Sequence, residues 1–302
     1  MSAKNLWIGF GVLFTFGIIW YLGFKESDYT ITFKVKGATG TIFQGIEEWT
    51  DGEQKNNHGN YVVLEKRNYN HIIHNFQFKN ELMTYKWEMN SINDSITQVA
   101  VSIKDANHSI YNRLTAPFVN TAFKLSQINK IKSFKDGLEN HIKNFKVKID
   151  GEGTSKEDFV AYITLKSVMQ EKAQKMIRDD GVITGYLGQN AIPIIGKPYV
   201  EILKWNQKTE QLEFNYCFPI AKNTKYVEDP IVKFKTIPAL KGIQATYYGN
   251  FRTSDRAWFA ILDYAKRNKI ELNTKPLEHF LANPFNGGEE LQWETKIIIP
   301  YK

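Results

Sequence analysis

HIIHNFQFKNELMTYKWEMNSINDSITQVAVSIKD, residues 71–105, alternates apolar and polar side chains three times over. Ile72, His74, Phe76 and Phe78 share one face of the first run. Met83, Tyr85, Trp87 and Met89 share a face of the second, and Val99, Val101 and Ile103 a face of the third. Side chains on a strand point to opposite faces in turn, so each run reads as a half-buried strand. The turn Asn93-Asp94-Ser95 between the last two makes them hairpin neighbours in an antiparallel sheet. Working back along the chain, Tyr61 to Leu64 adds a run, preceded by turn material at Asp51-Gly52 and His58-Gly59-Asn60. Before that, Ile42, Phe43, Ile46 and Trp49 have helical spacing. Tyr29, Ile31, Phe33 and Val35 alternate with Thr30, Thr32, Lys34 and Lys36 as another strand.

Forward from the hairpins, Phe123, Ile128, Ile131, Phe134, Leu138, Ile142 and Phe145 recur every three or four residues. Lys130, Lys132, Lys135, Glu139 and Lys143 fill the positions between them. This is an amphipathic helix with one apolar stripe, and the stripe needs a sheet to cover. Strand, short helix, antiparallel strands and long closing helix make a curved sheet gripping a helix. Gly151-Glu152-Gly153-Thr154-Ser155 then reads as a linker.

The start of the chain is different in kind. Leu6 to Phe24, LWIGFGVLFTFGIIWYLGF, is nineteen residues without a charge, between Lys4 and Lys25-Glu26. About 20 such residues cross the hydrocarbon core of a bilayer as a helix. A cleaved signal peptide has a shorter apolar region and a small-x-small site. Here the stretch ends in Trp20, Tyr21, Leu22 and Phe24. A buried core helix would carry polar residues within five turns. Trp7 and Trp20-Tyr21 sit where interfacial aromatics belong. The expectation is a single-pass membrane anchor over residues 1–25. Lys4 on one side and Lys25 on the other nearly balance, so both orientations stay open.

The rest of the 302 residues exceeds one usual core, and two domains are expected, at 28–150 and 155–302. The single cysteine, Cys217, excludes a disulfide framework within the chain and a cysteine zinc site. The net charge of +7 is spread among Asp and Glu with no dense basic block, which points to a solvated surface rather than a nucleic-acid footprint.

In the second half, Phe159 to Leu165 alternates as a strand. Val168 to Ile177 is amphipathic and leads to Asp179-Asp180-Gly181. Tyr199 to Trp205 and Leu212 to Phe218 form a hairpin around Asn206-Gln207-Lys208. A second cycle follows with strand Ile243 to Tyr248, helix Asp255 to Asn268 and strands Leu277 to Ala282 and Trp293 to Ile299. Strand-helix-strand-strand thus occurs twice, and the expected fold class is α+β with a pseudo-twofold second domain.

The second cycle carries a resemblance. Tyr247-Tyr248-Gly249-Asn250-Phe251, Ala257-Trp258, Leu277-Glu278-His279-Phe280-Leu281-Ala282-Asn283-Pro284 and Trp293 through Pro300 resemble the GyrI-like effector-binding domain. The likeness covers roughly 159–302. More loosely, Gly40-Thr41-Ile42-Phe43 through Glu47-Glu48-Trp49, with the closing helix around Leu138, is similar to the SRPBCC (START-like, polyketide-cyclase-like) helix-grip fold. Both resemblances imply a cavity for small molecules rather than a fixed chemistry, apolar in the helix-grip family and aromatic in the GyrI-like family. Some GyrI-like members resemble hydrolases. The GyrI-like pattern places a Glu four residues before the terminal Pro, where this chain has Lys296, and a Tyr where it has Phe280. Glu294 lies two residues before Lys296, on the same strand face.

The ligand-binding candidates are therefore Glu294, Lys296, Glu278, Phe280, Tyr248, Tyr216, Trp205 and Trp258, with Glu294 and Lys296 expected beside one another in the second cavity. The competing reading makes the charges a solvated cross-strand pair and the aromatics core. His71 and His74 diverge on their strand and give no metal site. Residues 180–189 lack the Lys-Ser/Thr of a phosphate loop, and no nucleophile elbow or calcium loop is present. No cofactor and no nucleic-acid partner is expected. The sequence favours a membrane-tethered, non-catalytic binder of hydrophobic or amphipathic small molecules. The alternative is a hydrolase using Glu294 and a cleft tyrosine.

Overall fold

The computed structural model describes residues 3–56, 59–67, 69–282 and 287–302. His58, Asn283 and Pro284, quoted above, lie outside the described residues. Contacts divide the chain into two compact units. The first takes residues up to Val35, then Ile42–Asn90 and Gln98–Leu138. The second takes Lys36–Thr41, Ser91–Thr97 and Glu139–Lys302.

The first unit holds a sheet of five strands: β1 (Tyr29–Lys36), β2 (Asn60–Arg67), β3 (His71–Phe78), β4 (Glu81–Ser91) and β5 (Ile96–Asp105), in the order β1-β5-β4-β3-β2. The register places Ile72 opposite Trp87, His74 opposite Tyr85 and Phe76 opposite Met83, so the apolar faces read from the sequence coincide. They face α4 (Ala122–Ile142), whose Ile131, Phe134 and Leu138 are buried. Phe134 packs 5.1 Å from Trp87 and 5.4 Å from Trp49 of α2 (Thr39–Lys55). α2 runs through Asp51-Gly52, which the sequence reading made a turn. The short helix α3 (Ser109–Thr115) was not anticipated.

The N-terminal helix α1 (Ala3–Ile19) continues into a π-helical turn at Trp20–Phe24. Its span Trp7–Phe24 is long and apolar enough to cross a membrane, and none of that span is buried. Its lower end is fastened to the rest of the first unit. Arg113 Nη1 donates to the carbonyl of Leu22 at 2.9 Å, and the Tyr21 hydroxyl donates to the carbonyl of Arg113 at 3.1 Å. A cation on the last carbonyls satisfies acceptors that a helix end leaves open. Arg113 is held in turn by Asp28, with Nε–Oδ1 at 3.2 Å and side-chain exposures of 3% and 0%. The Asp28 carboxylate also accepts from the Ser109 hydroxyl and, at 2.9 Å, the Asp105 amide.

The second unit is built on one sheet of eight strands: β6 (Lys146–Thr154), β7 (Asp158–Val168), β8 (Tyr199–Asn206), β9 (Gln211–Pro219), β10 (Lys233–Ile237), β11 (Lys241–Tyr248), β12 (Leu277–Phe280) and β13 (Glu294–Pro300). The order β10-β7-β9-β8-β12-β13-β11-β6 is symmetric about its centre: β10-β7-β9-β8 on one side is matched by β6-β11-β13-β12 on the other. Helix α5 (Lys172–Gln189) follows β7, and α6 (Arg256–Asn268) follows β11. The duplicated strand-helix-strand-strand expected from the sequence is therefore present, with one flanking strand added to each half.

Two expectations fail locally. The linker at 151–155 is largely strand. β6 pairs with β11 along its length, with Gly153 opposite Gly242. A Cβ on Gly242 would stand 2.2 Å from the carbonyl oxygen of Ile299, so that glycine answers to a close strand approach. The helix expected to end at Asp179-Asp180-Gly181 continues to Gln189, because Ile183 and Leu187 extend the buried stripe of Met176.

Candidate functional site

Which side of the second sheet a residue faces follows from its register. Glu278 stands opposite Ile297 and Phe280 opposite Thr295, while His279 stands opposite Lys296. Across the next pair, Tyr247 is opposite Thr295, Thr246 opposite Lys296 and Tyr248 opposite Glu294. Directly opposed residues share a face. Glu278 and Phe280 therefore belong to one side of the sheet, and Glu294, Lys296 and Tyr248 to the other.

The Glu278 side is covered by both helices. Glu278 is fully buried, and its Oε2 takes a 2.5 Å ion pair from Lys172 Nζ, exposed by only 1%. Its Oε1 accepts from Trp258 Nε1 at 2.6 Å and from the Ser254 hydroxyl at 3.1 Å. Lys172 Nζ also donates to Ser254 at 3.2 Å and lies 4.6 Å from the Trp258 ring centroid. A buried charge is tolerated only when paired and hydrogen-bonded, and each partner here supplies that for the other. Trp205 packs edge-on against Trp258 at 5.1 Å. Trp205 and Trp258 are thus core, in line with the plainer reading of the aromatics.

Two turns along α5 the same helix face reaches a cleft. Lys172, Met176 and Asp180 are spaced by four residues, so they line up on the helix. On β12, Glu278 and Phe280 are two apart and point the same way. The cleft beyond Met176 and Phe280 has a volume of about 320 Å³. Its walls are chiefly Met176, Ile177, Phe218, Phe251 and Phe280, with Ala282 at the edge. Its polar groups are Asp180, Thr184, Lys197 and Tyr216. The Tyr216 hydroxyl donates to Asp180 Oδ1 at 2.8 Å. Burial, with the Asp180 carboxylate beside it, pushes the Tyr216 phenol well above its ordinary range, so it stays a neutral donor. An apolar cleft with a few fixed polar groups is the usual form of a small-molecule site.

The remaining candidates lie elsewhere. Lys296 is 44% exposed and bonds Thr246 Oγ1 at 2.6 Å and Asp150 Oδ2 at 3.3 Å, with Glu294 at 3.5 Å. Glu294 and Lys296 are neighbours, as expected, but in a cross-strand charge cluster on the other face from Phe280 and Tyr216. Tyr248 sits on that face too, with Lys146 Nζ 5.9 Å from its ring centroid. The eight candidates are therefore split: Tyr216 and Phe280 in the cleft, Glu278, Trp258 and Trp205 in the adjoining core, and Glu294, Lys296 and Tyr248 opposite. Sequence reading missed Lys172, Met176 and Asp180. Their i, i+4, i+8 spacing was the available signal, obscured by reading 179–181 as a turn. Among the described residues no group of three His, Cys, Asp or Glu is placed to hold a metal ion.

No family model and no curated protein matches the chain. Among solved structures it is similar to the C-terminal domain of EcmrR, at 14% identity and a TM-score of 0.42, over 52% of this chain and 98% of that one. It is similar to a hydrolase from Listeria innocua at 9% identity and a TM-score of 0.36, over 50% and 92%. SAV2435, solved bound to tetraphenylphosphonium, gives 10% identity and a TM-score of 0.37, over 52% and 93%.

Proposed function

We propose that this chain is a membrane-tethered, non-catalytic binder of apolar or amphipathic small molecules, with the α5 cleft of the second unit as its site. The observation that carries the reading is the cleft itself. Methionine and phenylalanine walls offer adaptable apolar contact, and the Tyr216–Asp180 pair offers one oriented polar anchor. The resemblance of 159–302 to GyrI-like effector-binding domains supports a ligand-holding role, and that of the first half to helix-grip domains supports a second apolar interior. The exposed apolar span at Trp7–Phe24 supports the tether. Hydrolysis from Glu294 is the weaker reading, because that carboxylate stands on the opposite face from the cleft tyrosine and beside Lys296.

Native mass spectrometry of the full chain released from micelles tests the binding. A co-purified or added apolar compound is expected on the native protein and lost in Ala282→Trp, which fills the cleft edge. Retention of the compound by Ala282→Trp, or no binder from an apolar library, removes the reading. Alkaline washing of membranes tests the tether: the full chain is expected to stay in the pellet, and release into the supernatant counts against it.

A further inference from the structure

The interior of the first unit contains a lysine in an unusual position. Lys130 was placed on the polar side of α4 by its spacing, yet its ammonium lies over the aromatic face of the sheet. Nζ is 3.7 Å from the ring centroid of Phe76, 5.2 Å from Tyr61, 5.6 Å from Trp49 and 5.9 Å from Tyr85. The residue is half-buried. Among the described residues it makes no ion pair and no hydrogen bond. The cage removes water from one side of the amine, and the Glu53 and Glu81 carboxylates only partly offset that loss.

A second observation concerns the neighbours. His74 is fully buried, and neither of its ring nitrogens has a hydrogen-bond partner among the described residues. The same holds for the hydroxyl of Tyr61 and for Nε1 of Trp87. The three are contiguous through His74, which lies 5.4 Å from Tyr61 and 6.2 Å from Trp87, and 5.2 Å from Tyr85 as well, centroid to centroid. Buried polar atoms are normally satisfied, so a cluster without partners marks a place where a polar atom from outside the chain would be held. Tyr85 differs, since its hydroxyl is engaged by Gln127.

From this arrangement we propose that Lys130 is a reactive amine that captures aldehydes or ketones of apolar body as an imine. The neutral amine's lone pair attacks the carbonyl carbon, a C–N bond forms and the carbonyl electron pair passes to oxygen. Both amine protons leave with that oxygen as water, and the C=N bond closes; no oxidant or reductant is needed. The ring cage would hold the apolar body, and the unpartnered Tyr61 and His74 atoms would bond the oxygen before it departs. Activation by desolvation is an established route to a nucleophilic lysine. Burial lowers the Lys130 amine to about 8, against a partial upward pull from Glu53 of α2 and Glu81 of β4. The other titratable groups facing it are His74, Tyr61 and Tyr85. Burial keeps His74 neutral, down to about 3, and raises both phenols far above their ordinary range, so none of them becomes charged in the neutral pH window.

The test is reductive trapping on the full chain in micelles, with benzaldehyde and decanal as probes and sodium cyanoborohydride to fix the imine, read by peptide mapping. At pH 7.5 an amine titrating at about 8 has roughly 200-fold more neutral form than an ordinary lysine. Label is expected on the Lys130 peptide at least about ten-fold faster than on other lysines, with a rate that levels off above about pH 8. Lys130→Arg, which keeps a cation in the cage, should lose that label alone. Labelling of Lys130 no faster than of surface lysines, or a rate still climbing towards pH 10, overturns the proposal without reliance on any variant.

Discussion

Replacing Lys172 by Met isolates the buried ion pair of the second unit. The methionine keeps the stem that packs between α5 and the sheet and removes only the ammonium. Glu278 would keep Trp258 and Ser254 as donors but, fully buried, would lose its counter-ion. Removing one partner of a buried pair costs about 3–5 kcal/mol. At 1.4 kcal/mol per decade, that is roughly two to three and a half orders of magnitude in the unfolding equilibrium. Adding Glu278→Gln removes the stranded carboxyl while leaving a carbonyl to accept from Trp258 and Ser254. The double variant is therefore expected to recover most of the loss, since neutral replacements of buried pairs are often close to neutral in stability. Hydrogen-exchange mass spectrometry of α5 and β12 peptides reads the opening free energy of this unit directly. A loss under about 1 kcal/mol in Lys172→Met, or a double variant no better than the single one, would refute the reasoning that the pair is held by mutual compensation.

Two further outcomes follow from particular side chains. His74 is held neutral in the fold, near 3, against an ordinary value of 6.5 in the unfolded chain. The unfolded state therefore binds the extra proton between those values, and stability falls as pH drops below 6.5, by up to about 1.4 kcal/mol per unit. Urea unfolding of the first unit at pH 7 and pH 5 should differ by about 2 kcal/mol from this residue, and His74→Phe should remove that part; an unchanged pH dependence in the variant would dismiss it. Lys296→Glu places a third carboxylate beside Asp150 and Glu294, so a small destabilisation of up to about 1 kcal/mol is expected. Binding of an apolar compound in the α5 cleft should not change, and a large shift in its affinity would mean that the two sheet faces communicate.

The period-two runs were legible where a strand has one wet face and one dry face. That held for β3 and β4, where His74, Tyr85 and Trp87 alternate cleanly, and for the duplicated order of the second unit. Helix α5 was cut short because Asp179-Asp180-Gly181 has turn chemistry locally, and only the burial of Ile183 and Leu187 against the sheet keeps the helix going. β6 was read as a linker for the same reason: Gly151 and Gly153 look flexible alone, and the strand exists through its pairing with β11. Glu278 could be chosen from its alternation with Phe280. Its partner could not, since Lys172 is 106 positions away and looks like any polar residue opening a helix. Glu294 and Lys296 were grouped with Glu278 because strand parity relates residues within one strand. Relating two strands needs their register, which no local pattern contains.

The fastening of the N-terminal helix has a mechanical consequence. Only residues 25–28 separate the last helical turn from β1, and Asp28 itself is locked beneath Arg113. The Arg113 contacts to the carbonyls of Tyr21 and Leu22 leave no free joint at that point. If the span crosses a bilayer as proposed, such a helix works as a lever arm rather than a leash. In a bilayer, spanning helices tilt by about 20° on average, and the tilt follows the thickness of the hydrocarbon layer. With no slack at the root, the first unit turns through the same angle. A change in lipid composition would then register as a change in the attitude of the sheet that it carries.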